Sequence, residues 1–432
     1  MLILHHGKRL AYLRNRLKKT QQEITQDLPI SRSYMASLET GASPLSQEWF
    51  ERFSTYFQVS EAYLSKDEPN AQFQERLEQS FSTVLSLDLA EDFKDPGPCF
   101  EQDCSLMQEL AGNLLRAANF KLKYQFEEAA IVENDFLNLF IPESKALRDS
   151  VFLDKFWLLY DLATALIEAD YEMCGDILCK IETYLTREDD FFSTQALLNF
   201  IYNKQNRLFH AFKTGRRIIQ LAQDLNDPLR ECLARGLFAQ TLIHFDEIDE
   251  GTLELNECLS LLNQHGFQDY RWLYFLAMSM LAKSKQEYHE YSSYLESALD
   301  EDFLATTWLR FRYHYILLRF HESRLLTRRS LKGKQDLDVL SRLPRSQHES
   351  YHYLSFQAFV ELLAGNEKNH WKLQRKAIQY FEERGKAEDF KILGEIYAVL
   401  GDYYWNTKKY RLSARYYAEM SHYSSPKTDH YL

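Results

Sequence analysis

The sequence of 432 residues has few of the residues that interrupt regular structure, with 14 glycines and 9 prolines. Average proteins contain about 7% glycine and 5% proline, so this composition argues against a turn-rich β-sandwich and against a disordered chain. Aromatic residues make up 14% of the chain and charged residues 26%. These values predict a folded and mostly helical protein.

Long apolar runs are also missing from the sequence. Charged residues interrupt each apolar stretch well before the ~20 residues that a membrane helix needs, as Asp161 does after 156–160. The N-terminus lacks the apolar core of a secretory signal. Six cysteines are present without a C-x-x-C pair. We therefore expect a cytoplasmic protein whose cysteines are reduced packing residues.

The sequence offers no motif of an enzyme. Gly333 and Gly365 belong to neither a dinucleotide-binding fingerprint nor a P-loop. His348 and His352 are four residues apart, but no cysteine or carboxylate completes a set of metal ligands. No pattern pairs a nucleophile with a base. We therefore predict no catalytic residue, no metal site and no cofactor.

The net charge of −12 is distributed unevenly along the chain. Residues 1–40 contain seven lysines and arginines against three acidic residues, a net charge of +4, which leaves −16 for the rest. A short basic end on an acidic body suits contact with nucleic-acid phosphates at that end alone. The alternative is that these charges form a solvated surface.

Three short helices are predicted within the first 41 residues. The buried stripe of the first helix is Leu10, Leu13 and Leu17. Thr20 and Glu23 have the spacing of a capping box at the start of the second helix. Ser31 is placed as the N-cap of the third, and Gly41 follows its end. This pattern predicts two short helices separated by a tight turn, after a first helix.

Residues 20–24 and 30–41 closely resemble the phage-repressor-like (Cro/cI, Xre-type) helix-turn-helix family, and the match covers residues 7–64. The resemblance implies a DNA-binding module whose third helix enters the major groove. The residues that it places toward DNA are Gln21, Ser31, Arg32, Ser33, Tyr34 and Ser37. It also implies an internal structural pair between Arg14 and Glu39. For the exposed positions, the alternative is an ordinary solvated helix surface.

The chain is predicted to contain four segments. Residues 1–66 form the helix-turn-helix domain, and residues 67–100 form a linker with a helix between two clusters of helix breakers. Residues 101–425 form a repeat domain for peptide binding and dimerisation, and residues 426–432 form a flexible tail. Helical hairpins are predicted to begin near residues 103, 150, 191, 228, 270, 303, 349 and 388, a spacing of about 40 that is typical of helix-pair arrays.

The last hairpin carries the clearest repeat pattern. The positions that match a tetratricopeptide (TPR) repeat are Leu400, Gly401, Tyr404, Tyr410, Tyr417 and Met420. Ser413 stands where alanine is usual in that repeat. The expected fold class is therefore all-α, with the helix-turn-helix domain followed by a right-handed superhelix of about eight TPR-like hairpins.

An Xre-type module followed by degenerate TPR-like repeats resembles the RRNPP family of bacterial peptide-pheromone receptors (Rap, Rgg, NprR, PlcR, PrgX), and most closely its NprR/PlcR branch. The resemblance implies a cytoplasmic homodimer that regulates transcription from a double-stranded DNA operator. A short re-imported signalling peptide in the concave groove would change the dimer arrangement and DNA binding. The alternative is an adaptor whose repeats sequester a protein partner, with DNA binding secondary.

Polar side chains on inner helices are candidates for gripping such a peptide, because an amide offers both a donor and an acceptor to one peptide unit. The candidates are Gln195, Asn199, Asn203, Arg235, Arg310 and His314. Asn199 and Asn203 lie one turn apart, and Asn134 and Asn138 repeat this spacing. The arginines and the histidine could meet a peptide carboxylate. For each residue, the alternative is an ordinary solvated position.

Overall fold

The computed structural model describes residues 4–86, 93, 95–97, 104–139, 147–300, 337–338 and 340–424. Within these ranges the chain forms twenty α-helices and no β-strand. The predicted all-α fold class is confirmed. No helix in the described part of the chain is long and apolar enough to cross a lipid bilayer.

Five short helices make up the N-terminal module. They are α1 (His6–Arg16), α2 (Gln21–Asp27), α3 (Arg32–Glu39), α4 (Gln47–Phe57) and α5 (Glu61–Ser65). The predicted capping box is present, since Thr20 and Glu23 satisfy each other's backbone amides at the start of α2. Ser31 caps α3 by accepting a hydrogen bond from the Tyr34 amide. Leu17 differs from the prediction, because α1 ends at Arg16 and leaves this side chain 48% exposed.

The predicted linker helix is part of the packed core. Residues 71–85 form α6 (Ala71–Leu85), whose apolar side chains, including Phe73 and Leu77, are buried. The Gln108 side chain accepts a hydrogen bond from the Asn70 amide at 2.9 Å and donates one to the Asn70 carbonyl at 2.8 Å. Because these bonds fix the start of α6 to the following helix, 67–86 does not act as a free linker.

Seven helical hairpins follow α6 in the described residues. They are α7 (Leu106–Leu122) with α8 (Phe126–Asp135), α9 (Asp154–Ile167) with α10 (Tyr171–Glu182), α11 (Glu188–Lys204) with α12 (Leu208–Asp224), α13 (Pro228–His244) with α14 (Ile248–His265), α15 (Arg271–Ser284) with α16 (Tyr288–Asp300), α17 (Gln347–Leu363) with α18 (Glu367–Arg384), and α19 (Ala387–Asn406) with α20 (Tyr410–Ser424). Their first helices begin within four residues of seven predicted starts. The predicted start at 303 lies outside the described residues.

The turn inside each of these hairpins has one backbone form. A residue with a φ of 52° to 81° follows every first helix, and the next amide bonds to the carbonyl five residues earlier at 2.8–3.0 Å. This is the Schellman ending of a helix. The left-handed residues are Tyr124, Ala169, Asn206, Asp246, Gln286, Gly365 and Lys408. Only one is glycine, so the chain holds six other side chains in a form that costs about 1–2 kcal/mol.

The last hairpin shows why its repeat pattern is recognisable. A Cβ atom added to Gly401 would lie 2.7 Å from the Tyr417 ring, so the two helices need glycine here to approach closely. Ser413 is fully buried, and its hydroxyl donates to the Gly401 carbonyl at 2.9 Å. Serine therefore replaces the usual alanine without leaving an unsatisfied hydroxyl.

The described chain divides into two compact units. The first comprises residues up to 164 together with 179–194, and the second comprises 165–178, 195–300 and the described residues from 337 onward. The N-terminal module and the helices α6 to α8 therefore lie in one unit. Arg16 in α1 pairs with Glu109 in α7 at 2.8 Å, and Tyr12 packs edge-on against Phe136. The residues on both sides of residue 66 therefore belong to the same compact unit.

The cysteines depart from the prediction at one position. Cys174, Cys179, Cys232 and Cys258 are free thiols. Cys104 is disulfide-bonded, which corrects the expectation that the cysteines of this chain are reduced.

Candidate functional site

The N-terminal half of α3 is the most exposed polar surface of the predicted DNA interface. Ser31, Arg32 and Ser33 are exposed, and the opposite side of the helix buries Met35 and Leu38. Arg32 forms no hydrogen bond or ion pair with any residue that the structure describes. The first helical residue of α3 therefore presents a guanidinium whose donors are available to a ligand.

The other three predicted DNA-facing side chains are half-buried and make internal contacts. The Gln21 amide donates to Glu39 Oε2 at 2.8 Å. The Ser37 hydroxyl donates to the Tyr34 carbonyl at 2.9 Å, and the Tyr34 ring packs against Trp49. These contacts orient the edge of α3, so the groups that reach outward without rearrangement are on Ser31, Arg32 and Ser33.

The pair predicted between Arg14 and Glu39 is present. Arg14 Nε donates to Glu39 Oε1 at 2.6 Å, and Nη2 donates to Oε2 at 3.1 Å. Only 8% of the Glu39 side chain is exposed. A bidentate pair of this kind fixes α1 against α3 and so sets the orientation of α3 within the module.

Most of the basic charge near the N-terminus is neutralised inside the protein. The ion pairs are Arg9 with Asp67, Arg14 with Glu39, Arg16 with Glu109, and Lys19 with Asp27. The Arg9 guanidinium is fully buried, and burial lowers its pKa. The charge of +4 counted along residues 1–40 thus overstates the positive charge available to phosphates, and Arg32 remains the exposed cation on α3.

In the second unit, two predicted peptide-binding residues lie in the core. Gln195 is 2% exposed and Asn199 is fully buried. Asn199 Nδ2 donates to the Ala211 carbonyl at 2.6 Å and to Thr241 Oγ1 at 3.1 Å. The Asn199 amide therefore joins α11 to the next two helices and does not reach a surface in this arrangement.

Asn203 is placed differently, one turn further along α11. The residue is partly exposed, and its Nδ2 donates to Thr241 Oγ1 at 2.9 Å. Its Oδ1 accepts no hydrogen bond from the described residues. Gln240, which precedes Thr241 on α13, is also partly exposed and has an Nε2 group without a partner there. Helices α11 and α13 thus hold one buried acceptor and one buried donor that have no partner among the described residues.

The remaining predicted ligand-binding residues give less support to a peptide site. Arg235 Nη1 lies 2.7 Å from Glu254 Oε2, and Nη2 lies 2.9 Å from Glu231 Oε1. Because two carboxylates already bind this guanidinium, a peptide carboxylate would have to displace one of them. Arg310 and His314 lie outside the described residues.

A group of polar side chains that the sequence did not predict lies between α13, α17, α18 and α19. His244 Nε2 is 2.8 Å from Asn206 Oδ1. Asp389 Oδ1 lies 3.4 Å from His348 Nε2 and 3.5 Å from Arg384 Nη1, and none of these three atoms makes a hydrogen bond within the described ranges. We call His244, His348, Arg384 and Asp389 the polar cluster.

The electrostatics of the polar cluster keep its histidines neutral near pH 7. Burial lowers the pKa of His244 to about 4, and the charges of Lys391 and Lys204 act in the same direction. Burial also lowers the pKa of His348 to about 4, with smaller contributions from His352 and Arg384. In the part of the chain that the structure describes, no three His, Cys, Asp or Glu side chains gather as a metal site.

Comparison with known proteins bears on the fold. No protein-family model matches the sequence, and no curated protein matches it. A solved structure described as "Crystal Structure of Rap Protein Complexed with Competence and Sporulation Factor" superposes on 82% of this chain and 97% of that chain, with a TM-score of 0.56 and 11% sequence identity. At this identity the likeness shows a common fold and nothing further.

Proposed function

We propose that this chain is a cytoplasmic, homodimeric DNA-binding transcriptional regulator whose repeat hairpins sense a short signalling peptide. The observation that carries the DNA-binding part is the exposed Arg32 on a capped helix whose other side is fixed by the Arg14–Glu39 pair. Arginine at the start of a recognition helix suits a bidentate contact with a guanine edge. The Rap-like fold supports the sensing part of the proposal.

Selection of bound duplexes from a random DNA library with the full chain tests DNA binding. The expected product is a palindromic site, since a homodimer presents two copies of α3. Arg32→Ala should then weaken binding by about 1–3 kcal/mol and relax sequence preference at the contacted base pair. Arg52→Ala is the matched control, because Arg52 is an exposed arginine on α4 whose guanidinium pairs with Glu48.

Two outcomes would contradict this assignment. Equal losses for Arg32→Ala and Arg52→Ala would mean that α3 does not read the bases. Failure to enrich any duplex, together with stable capture of a protein partner, would support the adaptor function, in which the hairpins sequester that partner.

Asn203 Oδ1 and Gln240 Nε2 are the proposed contacts for a peptide backbone, and because both atoms are buried in this arrangement, a peptide reaches them only when the surrounding side chains move. A peptide unit has one N–H donor and one C=O acceptor, which complement Asn203 Oδ1 and Gln240 Nε2. Bonds to the backbone give affinity without choosing side chains. Gln195, Asn199 and Arg235 are not included, since the first two are buried and the third is paired.

Titration calorimetry with peptides of roughly five to ten residues, selected from a display library on the full chain, tests this site. Asn203→Ala and Gln240→Ala should each weaken binding about two- to tenfold, the value of one hydrogen bond, while the preference over a scrambled peptide is kept. Gln220→Ala, an exposed glutamine on α12, is the control. Unchanged affinity in both variants would remove Asn203 and Gln240 from the site.

A further inference from the structure

The first compact unit contains a cavity that the proposed function does not use. Its volume is about 770 Å³, within the ~300–1,000 Å³ of small-ligand sites. The end of α1 forms one wall through Asn15, Arg16 and Lys18. Helix α7 and the end of α8 form the others. The cavity therefore lies where the N-terminal module meets the first hairpin.

Two charged pairs in the wall are already satisfied. Arg16 binds Glu109 at 2.8 Å, and Arg116 binds both carboxylate oxygens of Asp95 and the Gly97 carbonyl. These groups are part of the protein's own framework. A ligand that needed them would have to break internal ion pairs, so they do not define its chemistry.

Four polar groups in the wall have no partner among the described residues. Lys18 offers an ammonium and Asp135 a carboxylate. Asn15 and Asn134 each use the carbonyl oxygen of the side chain, which accepts from Arg14 and Asn138 respectively, while each NH₂ group stays unused. The unused groups are therefore one cation, one anion and two amide donors.

Apart from Asn113, whose amide is bonded to Glu109 and Arg116, the rest of the wall beside these groups is apolar. Ile131, Val132, Phe136 and Leu139 line it, and Ile131 is 59% exposed, a large value for an isoleucine on a helix. A complementary ligand has a carboxylate for Lys18, an ammonium for Asp135, carbonyl oxygens for the two amides and apolar side chains for this surface. A short peptide with free termini has all four features.

We infer that this cavity binds a short apolar oligopeptide through both of its free termini, at a site separate from Asn203 and Gln240. Because the walls belong to the N-terminal module and to the first hairpin, an occupant contacts both. By linkage, a ligand that binds only this arrangement stabilises the module in its present position on the hairpin. Binding of the peptide at this site would thus stabilise the position of α3 on the first hairpin.

Calorimetric titration of the full chain with trileucine tests the inference. N-terminal acetylation of the probe removes its ammonium, and C-terminal amidation removes its carboxylate. Each change should weaken binding to the wild type about two- to fivefold, the value of one exposed ion pair. Acetylation of trileucine should not weaken its binding to the Asp135→Asn variant any further. Amidation should not weaken its binding to the Lys18→Gln variant any further.

Matched controls separate this site from general charge effects. Lys408 matches Lys18, because both are exposed and have a left-handed backbone conformation just after a helix. Asp224 matches Asp135, because both are exposed carboxylates at the last residue of a helix. Lys408→Gln and Asp224→Asn should keep the full response to both probe changes. No binding of trileucine to the wild type, or equal responses in all four variants, would overturn the inference. Neither result bears on Asn203, Gln240 or Arg32.

Discussion

The phenol of Tyr63 on α5 donates a hydrogen bond to the carboxylate of Glu109 on α7, and both side chains are buried. Arg16 donates to the other Glu109 oxygen at 2.8 Å. The N-terminal module is therefore docked on the first hairpin through a charged group inside the protein. Moving the module would leave that carboxylate without its partners, which is costly in a buried position.

The Glu109 carboxyl should make stability depend on pH. Burial, the largest effect, raises its pKa above the usual 4.5 despite the opposing charge of Arg16. The protonated form thus stabilises the folded state below pH 4.5, and this contribution is lost as the pH rises through the raised pKa. Relative to Glu109→Gln, the wild type should lose unfolding free energy as the pH rises above 4.5. Chemical unfolding of both proteins over this range is the measurement, and parallel pH profiles would contradict the prediction.

The Arg14–Glu39 pair should be important for the stability of the module. The Glu39 side chain is 8% exposed in the folded protein, and Arg14→Ala leaves its carboxylate with Gln21 as the remaining side-chain donor, a change expected to cost about 3–5 kcal/mol. Hydrogen exchange of the amides of residues 6–39 in the full chain measures it. Arg52→Ala breaks an exposed pair with Glu48 and should cost at most ~1 kcal/mol. Equal protection in the two variants would show that the pair is not a structural element.

His348 should contribute to acid sensitivity of the second unit. Its pKa in the folded protein is about 4 because of burial, below the ordinary 6.5. The neutral ring therefore stabilises the fold above pH 6.5, and this contribution is lost as the pH falls from 6.5 through 4, by up to about 1.4 kcal/mol per pH unit. The unfolding free energy of His348→Gln should fall less steeply in this window. If NMR shows that the His348 ring has a pKa near 6.5 in the folded protein, this prediction is wrong.

Two helical glycines should respond in opposite ways to alanine. A Cβ atom on Gly7 would lie 2.0 Å from the Leu38 carbonyl oxygen, so α1 and α3 would have to separate. Gly7→Ala should cost about 1–3 kcal/mol, as overpacking does. At Gly112 the nearest atom would be Pro96 Cγ at 3.4 Å, and alanine should be neutral or stabilise α7 by about 0.5–1 kcal/mol. Thermal unfolding of the two variants measures which is less stable. A Gly7→Ala protein as stable as the wild type would be inconsistent with this packing.

Local features of the sequence determined much of the fold. The capping box of Thr20 and Glu23 and the N-cap of Ser31 depend on residues three positions apart, so the helix starts could be predicted from the sequence. The hairpin starts were predictable because apolar spacing and polar breaks recur every forty residues or so. The Arg14–Glu39 pair came from a family resemblance, and the structure places its two side chains together.

Tertiary structure alone decided which polar side chains are buried, paired or unused. Asn199 and Asn203 have the same residue type and lie on one helix, yet only Asn199 is enclosed by α12 and α13. Glu109 becomes a docking group, and Asp389 meets His348, because residues far apart in sequence are packed together. Burial depends on which helices pack against each other and in what rotation. Helical periodicity fixes one side of a helix but not the neighbour that covers it.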